Sequence, residues 1–236
     1  MKTAPIILVP GFWLGAWAWD EVAALLRADG HDVTALTLPG LESADTDRAA
    51  VTLADHVDAI CDAVAAAPAP PVLAVHSGAG VPGYAATDRV HDRLAAMVYV
   101  DSFPEVGPID PDFADDDKPL PSWEDLNESL DGISEEQLAT FRERAVPEPG
   151  AALRESIELT DERRLGMPTT VLCTAWPSAE FRKAIEDGQP WLQVLGSLRD
   201  VVWVDLPTSH WPMFSKPREL AQILGDIATK ATGSDS

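Results

Sequence analysis

Two rhythms of apolar residues alternate along this chain. Short runs with no polar interruption, Ile6-Ile7-Leu8-Val9, Val72-Leu73-Ala74-Val75 and Ala96-Met97-Val98-Tyr99-Val100, read as strands buried on both faces, because a strand with one wet face would alternate apolar with polar positions. Residues 169–174, with threonines flanking Val171-Leu172-Cys173, read as another strand. Residues 32–36 and 201–206 read as two further strands. Between them the spacing becomes helical. Val22, Leu25 and Leu26 mark one face of a helix over 20–29 that Gly30 stops, and Leu53, Val57, Ile60 and Val64 mark another over 52–67. A helix of small residues follows Ser77 to about Thr87, one or two helical pieces fill 180–198, and a closing helix over 217–229 has Pro217 in its first turn. Strand and helix in alternation predict the α/β class, with a mainly parallel sheet and helices on both of its faces. In such a sheet, sites form at the carboxyl ends of the strands.

One stretch breaks the rhythm. Residues 110–121 are acidic and interrupted by proline, which predicts a mobile loop, and three short amphipathic helices follow over 123–130, 134–144 and 151–159. Ser134 and Gln137 have the spacing of a capping box. No strand is expected in this stretch, which reads as a helical cap inserted over the site. The expected organisation is therefore a core of residues 1–101 and 169–236 and a cap of residues 102–168.

Composition narrows the class. The 236 residues suit one domain with an insertion, and 46% apolar residues with eight Trp are the composition of a globular chain. A net charge of −22 repels nucleic acid and anionic membranes, so the expected partner is a small molecule, with a homodimer left open. The stretch Met1-Lys2-Thr3-Ala4-Pro5 leads directly into the first strand without an apolar leader, and a cytoplasmic enzyme is expected. Cys61 and Cys173 lack any metal-ligand spacing. Two buried thiols, no metal and no cofactor are the expectation.

The candidate chemistry begins at Val75-His76-Ser77-Gly78-Ala79, where a buried strand meets a helix at a turn of small residues. That turn has the shape of the G-x-S-x-G nucleophile elbow, with Val75 at its first glycine. A buried serine before a glycine-rich turn is the plainer alternative. Near the other end, Ser209-His210-Trp211-Pro212 forms a loop after the last strand, and Trp13, Trp17, Phe103, Trp176 and Trp211 all fall in loops expected at the carboxyl edge. They are candidate lining for an aromatic substrate pocket, or plain packing beside a cap.

Together the Ile7-Leu8-Val9-Pro10-Gly11-Phe12-Trp13 stretch, the turn at Ser77 and Ser209-His210-Trp211-Pro212-Met213 resemble the α/β-hydrolase fold superfamily, and within it the small, capped esterase and hydroxynitrile-lyase-like branch. The resemblance runs from Ile6 to the last helix and implies Ser77 as nucleophile and His210 as general base. It also implies an oxyanion hole from the backbone N–H groups of Phe12 and Gly78, with Pro10 where the family usually has histidine. The acid departs from the usual pattern, since the strand over 169–174 is followed by Ala175-Trp176-Pro177-Ser178-Ala179 and no carboxylate precedes Glu180. Asp101, at the end of the strand after the elbow helix, occupies a position used in some members of the superfamily. Asp101, Glu180 or no acid at all remain open. The implied function is a serine hydrolase cleaving a small neutral ester or lactone through an acyl-enzyme, the alternatives being a non-hydrolytic lyase or a small-molecule receptor with residual activity.

Overall fold

The computed structural model describes residues 3–232. Met1 and Lys2, the start of the stretch behind the expected location, lie outside them. In chain order the strands are β1 (Ile6–Val9), β2 (Val33–Ala35), β3 (Val72–His76), β4 (Ala96–Val100), β5 (Asp117–Lys118), β6 (Glu148–Pro149), β7 (Thr169–Cys173) and β8 (Val201–Asp205). The helices are α1 (Asp20–Ala28), α2 (Leu53–Ala66), α3 (Gly80–Val90), α4 (Trp123–Leu126), α5 (Glu135–Arg144), α6 (Gly150–Arg154), α7 (Ser178–Glu186), α8 (Gln193–Ser197), α9 (Pro212–Ser215) and α10 (Pro217–Ala231).

Six strands form one parallel sheet in the order β2-β1-β3-β4-β7-β8. Its central strands bury every residue, and their side chains alternate between two cores, as the strand pleat requires. Ile6, Leu8, Val72, Ala74 and Val98 face α1 and α10, through Leu26, Leu220 and Leu224. Ile7, Val9, Leu73, Val75, Met97 and Tyr99 face α2 and α3, through Val57, Ile60, Val64 and Ala86. Beyond them Phe181, Leu192 and Leu195 cover Val171 and Cys173 of β7. Cover on both faces explains why β1, β3 and β4 are built on continuous apolar runs. Among the described residues no helix is long and apolar enough to cross a membrane.

The segment between β4 and β7 departs from expectation in two ways. Residues 117–118 and 148–149, one pair in the expected loop, form a small antiparallel sheet. The helices are also shorter: α4 ends at Leu126, just before Asn127, whose φ is +55°, and α6 ends at Arg154. Beyond α6 the chain is drawn out by bonds to the core, since the Leu53 N–H donates to Glu155 Oε2 at 3.0 Å and the Asp161 N–H donates to Asp88 Oδ1 at 2.7 Å. Periodicity registers neither pull. The capping box is present, with the Ser134 N–H on Gln137 Oε1 and the Gln137 N–H on Ser134 Oγ.

Helix α3 must cross β3 closely to support the turn at Ser77, and Gly83 permits that approach. A Cβ at Gly83 would lie 2.6 Å from Val75 Cγ1 and 3.1 Å from Met97 Cε. In an exposed helix Gly→Ala stabilises by about 1 kcal/mol, whereas overpacking a core costs about 1–3 kcal/mol. Gly83→Ala is therefore expected to lower the urea midpoint, and a midpoint at or above the wild-type value would contradict this packing.

Candidate active site

Three strands of the sheet end in residues with unusual backbone. Ser77 directly follows β3 and has a φ of +51°, Asp101 directly follows β4 at +43°, and Trp13 lies in the loop after β1 at +65°. Side chains larger than glycine avoid this left-handed region, so such residues persist only where their surroundings over-determine them. Three of the four non-glycine residues of this kind among the described residues gather at one edge of the sheet.

His210, in the loop after β8, joins two of them. The Ser77 hydroxyl lies 2.8 Å from His210 Nε2, and His210 Nδ1 lies 2.6 Å from Asp101 Oδ2. In the neutral ring this arrangement selects the Nδ1–H tautomer, with Nε2 free to accept the serine proton. The second Asp101 oxygen accepts the backbone N–H groups of Thr174 at 3.0 Å and Ala175 at 3.2 Å. Burial pushes the Asp101 carboxyl up, but the His210 hydrogen bond and charge and the Thr174 bonds outweigh it and hold the carboxyl below its ordinary value. Glu180 sits exposed in the first turn of α7 and has no bond to His210. Another carboxylate, Glu128, approaches His210 Nδ1 to 4.0 Å.

His76, immediately before Ser77, fastens the surrounding loops. Its ring is completely buried, Nδ1 accepts the Gly11 N–H at 3.3 Å, and Nε2 donates to the His210 carbonyl at 2.8 Å. Burial pushes its pKa down to about 3, the neighbouring His210 ring adding in the same direction. The ring is a neutral strut between the loop after β1 and the loop that carries His210. Sequence position alone gave it no role, because both partners are remote in the chain.

Beside Ser77 opens a cavity of about 230 Å³, lined by Gly78, Val81, Asp101, Phe103, Glu105, Ile109 and His210 among others. Phe12 and Gly78 meet next to it, so closely that a Cβ on Gly78 would lie 2.3 Å from the Phe12 ring. The Phe12 N–H has no hydrogen-bond partner among the described residues. Gly78 is the second residue of the helical turn Ser77–Ala79, where backbone N–H groups lack acceptors within the helix. Of the five aromatics expected to line a pocket, only Phe103 does so at Ser77. Trp13 is buried with its indole N–H on the Lys118 carbonyl. Trp17 stacks on Phe214, and Trp211 packs edge-on against Phe141 and the His210 ring. Trp176 is 43% exposed against Phe181 and Trp191. Loop membership brought these rings to the right edge of the sheet, but packing directs them away from the cavity.

A second, much smaller cavity of about 10 Å³ adjoins the first through Gly78 and Ile109 and is lined by Gly11, Phe12 and the buried Glu148. Burial pushes the Glu148 carboxyl up to about 7, against the Trp13 N–H bond and the charge of Lys118. Nothing in the sequence pattern marked this residue. Among the described residues no cluster of His, Cys, Asp and Glu has the arrangement of a metal site.

Comparison with known proteins shows the family to which the chain belongs. The sequence matches the model of the alpha/beta hydrolase family over residues 6–223. It is 26% identical to Methylesterase 7 of Arabidopsis thaliana, covering 95% of this chain and 96% of that one. A shorter match of 99 residues to the esterase PIR7B of Oryza sativa subsp. japonica reaches 42% identity, over 40% of this chain and 37% of that one. Among solved structures, an extracellular alpha/beta-hydrolase from a Paenibacillus species, described as sharing structural and functional homology with tobacco salicylic acid binding protein 2, superposes with a TM-score of 0.76. It is 20% identical and covers 95% of this chain and 99% of that one.

The depressed His76 ring carries a stability signature. An unfolded histidine takes its proton near pH ~6.5, whereas the folded one resists to about 3. Between those values the unfolded state binds more protons, so stability present above pH ~6.5 is lost as pH falls, at up to about 1.4 kcal/mol per unit. Urea titrations from pH 7.5 to 4.5 should show a shallower pH slope for His76→Gln than for the wild type. Equal slopes would mean that His76 is accessible to protons in the folded state.

Proposed function

The chain belongs to the alpha/beta hydrolase family and is a carboxylic ester hydrolase, and we propose that it cleaves small neutral esters or lactones through an acyl-enzyme on Ser77. The observation that carries this reading is the unbroken relay from Ser77 Oγ to His210 Nε2 at 2.8 Å and from His210 Nδ1 to Asp101 Oδ2 at 2.6 Å. In the first half-reaction Ser77 Oγ attacks the ester carbonyl carbon while its proton passes to His210 Nε2. The imidazolium then returns that proton to the departing alkoxide oxygen, and the alcohol leaves. In the second half, water attacks the acyl carbon, His210 takes its proton, and Ser77 regains one as the acid departs. Asp101 keeps the His210 tautomer and steadies the transient imidazolium. The N–H groups of Phe12 and Gly78 are the proposed oxyanion donors, since Gly78 lines the cavity at Ser77, Phe12 packs against Gly78 in the adjoining cavity, and fixed donors stabilise the charge that develops in the transition state.

The substrate class follows from the cavity. About 230 Å³ lies below the ~300–1,000 Å³ usual for drug-sized ligands. Val81, Phe103 and Ile109 supply apolar walls. Glu105 lines the same cavity and Glu128 stands close to His210, so a carboxylate on the substrate would be repelled. Methyl esters fit a small leaving-group site, and methylesterase is the name of one relative. Residues 102–168 are read as a cap, because Phe103, Glu105 and Ile109 from that stretch form one wall of the cavity.

A fluorophosphonate probe should label the wild-type enzyme at Ser77 by mass spectrometry and leave Ser77→Ala unlabelled. On a panel of neutral methyl and aryl esters, carboxylic acid release should vanish in Ser77→Ala. In Asp101→Asn the chemical step should fall by about 10³ to 10⁴-fold with little change in KM, as when an imidazole loses its correct tautomer. An unlabelled wild type would favour a receptor, and labelling without acid release would favour a lyase.

A further inference from the structure

The small sheet of β5 and β6, with the residues that lead into β6, reaches across to the loop after β1 and grips one residue there three times. The Trp13 N–H donates to Glu148 Oε2 at 3.3 Å, the Trp13 carbonyl accepts the Val146 N–H at 3.0 Å, and the Trp13 indole N–H donates to the Lys118 carbonyl at 2.9 Å. The gripped residue is a tryptophan with a φ of +65°, a conformation that a bulky side chain does not hold unaided. Its predecessor is Phe12, whose ring rests against Gly78 and whose N–H is free among the described residues.

Glu148 is an unusual residue for this position. It is only 2% exposed, and its other carboxyl oxygen has no hydrogen-bond partner among the described residues. The nearby Lys118 ammonium pairs with Asp110 at 3.8 Å. Burying a carboxyl with one donor and no ion pair opposes folding, and an apolar side chain of similar volume would be favoured on stability alone. The cavity beside it, about 10 Å³, holds no more than about one water, which leaves no room for a substrate group. What Glu148 does hold is the backbone that follows the Phe12 donor.

We infer that Glu148 is a positioning residue for oxyanion stabilisation: its carboxylate fixes the left-handed turn at Trp13 and thereby aims the Phe12 N–H at the oxygen of the reacting carbonyl. This rests on the reading of Ser77 as the acylated nucleophile. A donor that follows the developing oxyanion acts on the transition state more than on bound ester, so a loosened turn should lower kcat and spare KM. Displacements of about 1 Å at a reacting centre can cost on the order of 10²-fold.

Three substitutions separate acceptor, length and charge. Glu148→Gln keeps an oxygen acceptor of the same reach without the charge. Glu148→Leu keeps volume without an acceptor, and Glu148→Asp keeps the charge but falls short of Trp13. With an aryl ester, kcat should fall about 10- to 100-fold in Leu and at least about 5-fold in Asp, with KM within about 2-fold, while Gln remains within about 3-fold of wild type. Affinity for an aryl trifluoromethyl ketone, whose adduct with Ser77 carries an oxyanion, should fall in parallel with kcat. If Leu does not fold, the Asp and Gln pair decides alone. The proposal is overturned by equal losses in Gln and Asp, by a rise in KM at unchanged kcat, or by inhibitor affinity that does not follow kcat. Failure of the esterase reading itself would appear in the wild type, as absent labelling and turnover, and would overturn both.

Discussion

Backbone strain at the carboxyl edge of the sheet is the constraint around which this site is arranged. Ser77, Asp101 and Trp13 all adopt a positive φ, and each is held there by bonds from elsewhere in the chain. The Ser102 hydroxyl donates to the Ser77 carbonyl at 2.6 Å, the Asp101 N–H donates to the Leu172 carbonyl at 2.8 Å, and Trp13 is gripped from β5 and β6. Residues so held cost about 1–3 kcal/mol each, which the packed sheet beneath must offset. In return the serine and aspartate side chains leave the strand direction and meet at one histidine.

The same edge divides its ionisable groups by environment. Asp101 stays ionised because several donors converge on it, two of them backbone N–H groups from the turn after β7. That turn is where the superfamily most often carries its acid. Here it carries no carboxylate at Ala175-Trp176-Pro177 and serves instead as the cradle for a carboxylate from the neighbouring strand. His76, completely buried with a carbonyl acceptor and one long hydrogen bond from the Gly11 N–H, stays neutral. Two histidines with ring centroids 4.9 Å apart could not both carry charge cheaply, and burial keeps His76 neutral.

The segment between β4 and β7 touches the site from two sides. Phe103, Glu105 and Ile109 form one wall of the cavity at Ser77, while Lys118, Val146 and Glu148 hold the loop that ends β1. Arg48, 6% exposed, ties the same small sheet to the loop after β2 through Asp117 at 3.2 Å and the Gly40 carbonyl. Variation in this segment would therefore reach both the shape of the cavity and the geometry of the loop beneath it.

By itself the sequence determined the parallel sheet, the order of strands and helices, and the strand ends at which Ser77, Asp101 and His210 stand. Those are local properties: a doubly covered strand must be apolar throughout, a sharp turn needs small residues, and helix caps depend on neighbours three positions apart. Which carboxylate meets His210, the neutral ring of His76, the burial of Glu148 and the directions of the five aromatics depended on partners remote in the chain. Glu148 lies 135 residues from the N–H it accepts and His76 lies 134 from the carbonyl it meets. The short antiparallel pair and the early ends of α4 and α6 belong with these, because few apolar contacts specify them and single polar bonds to the core decide their length. Pattern records which face of an element is buried. Only the folded chain decides what lies opposite it, and the hydrogen bonds and charges around Ser77, Asp101 and His210 are set there.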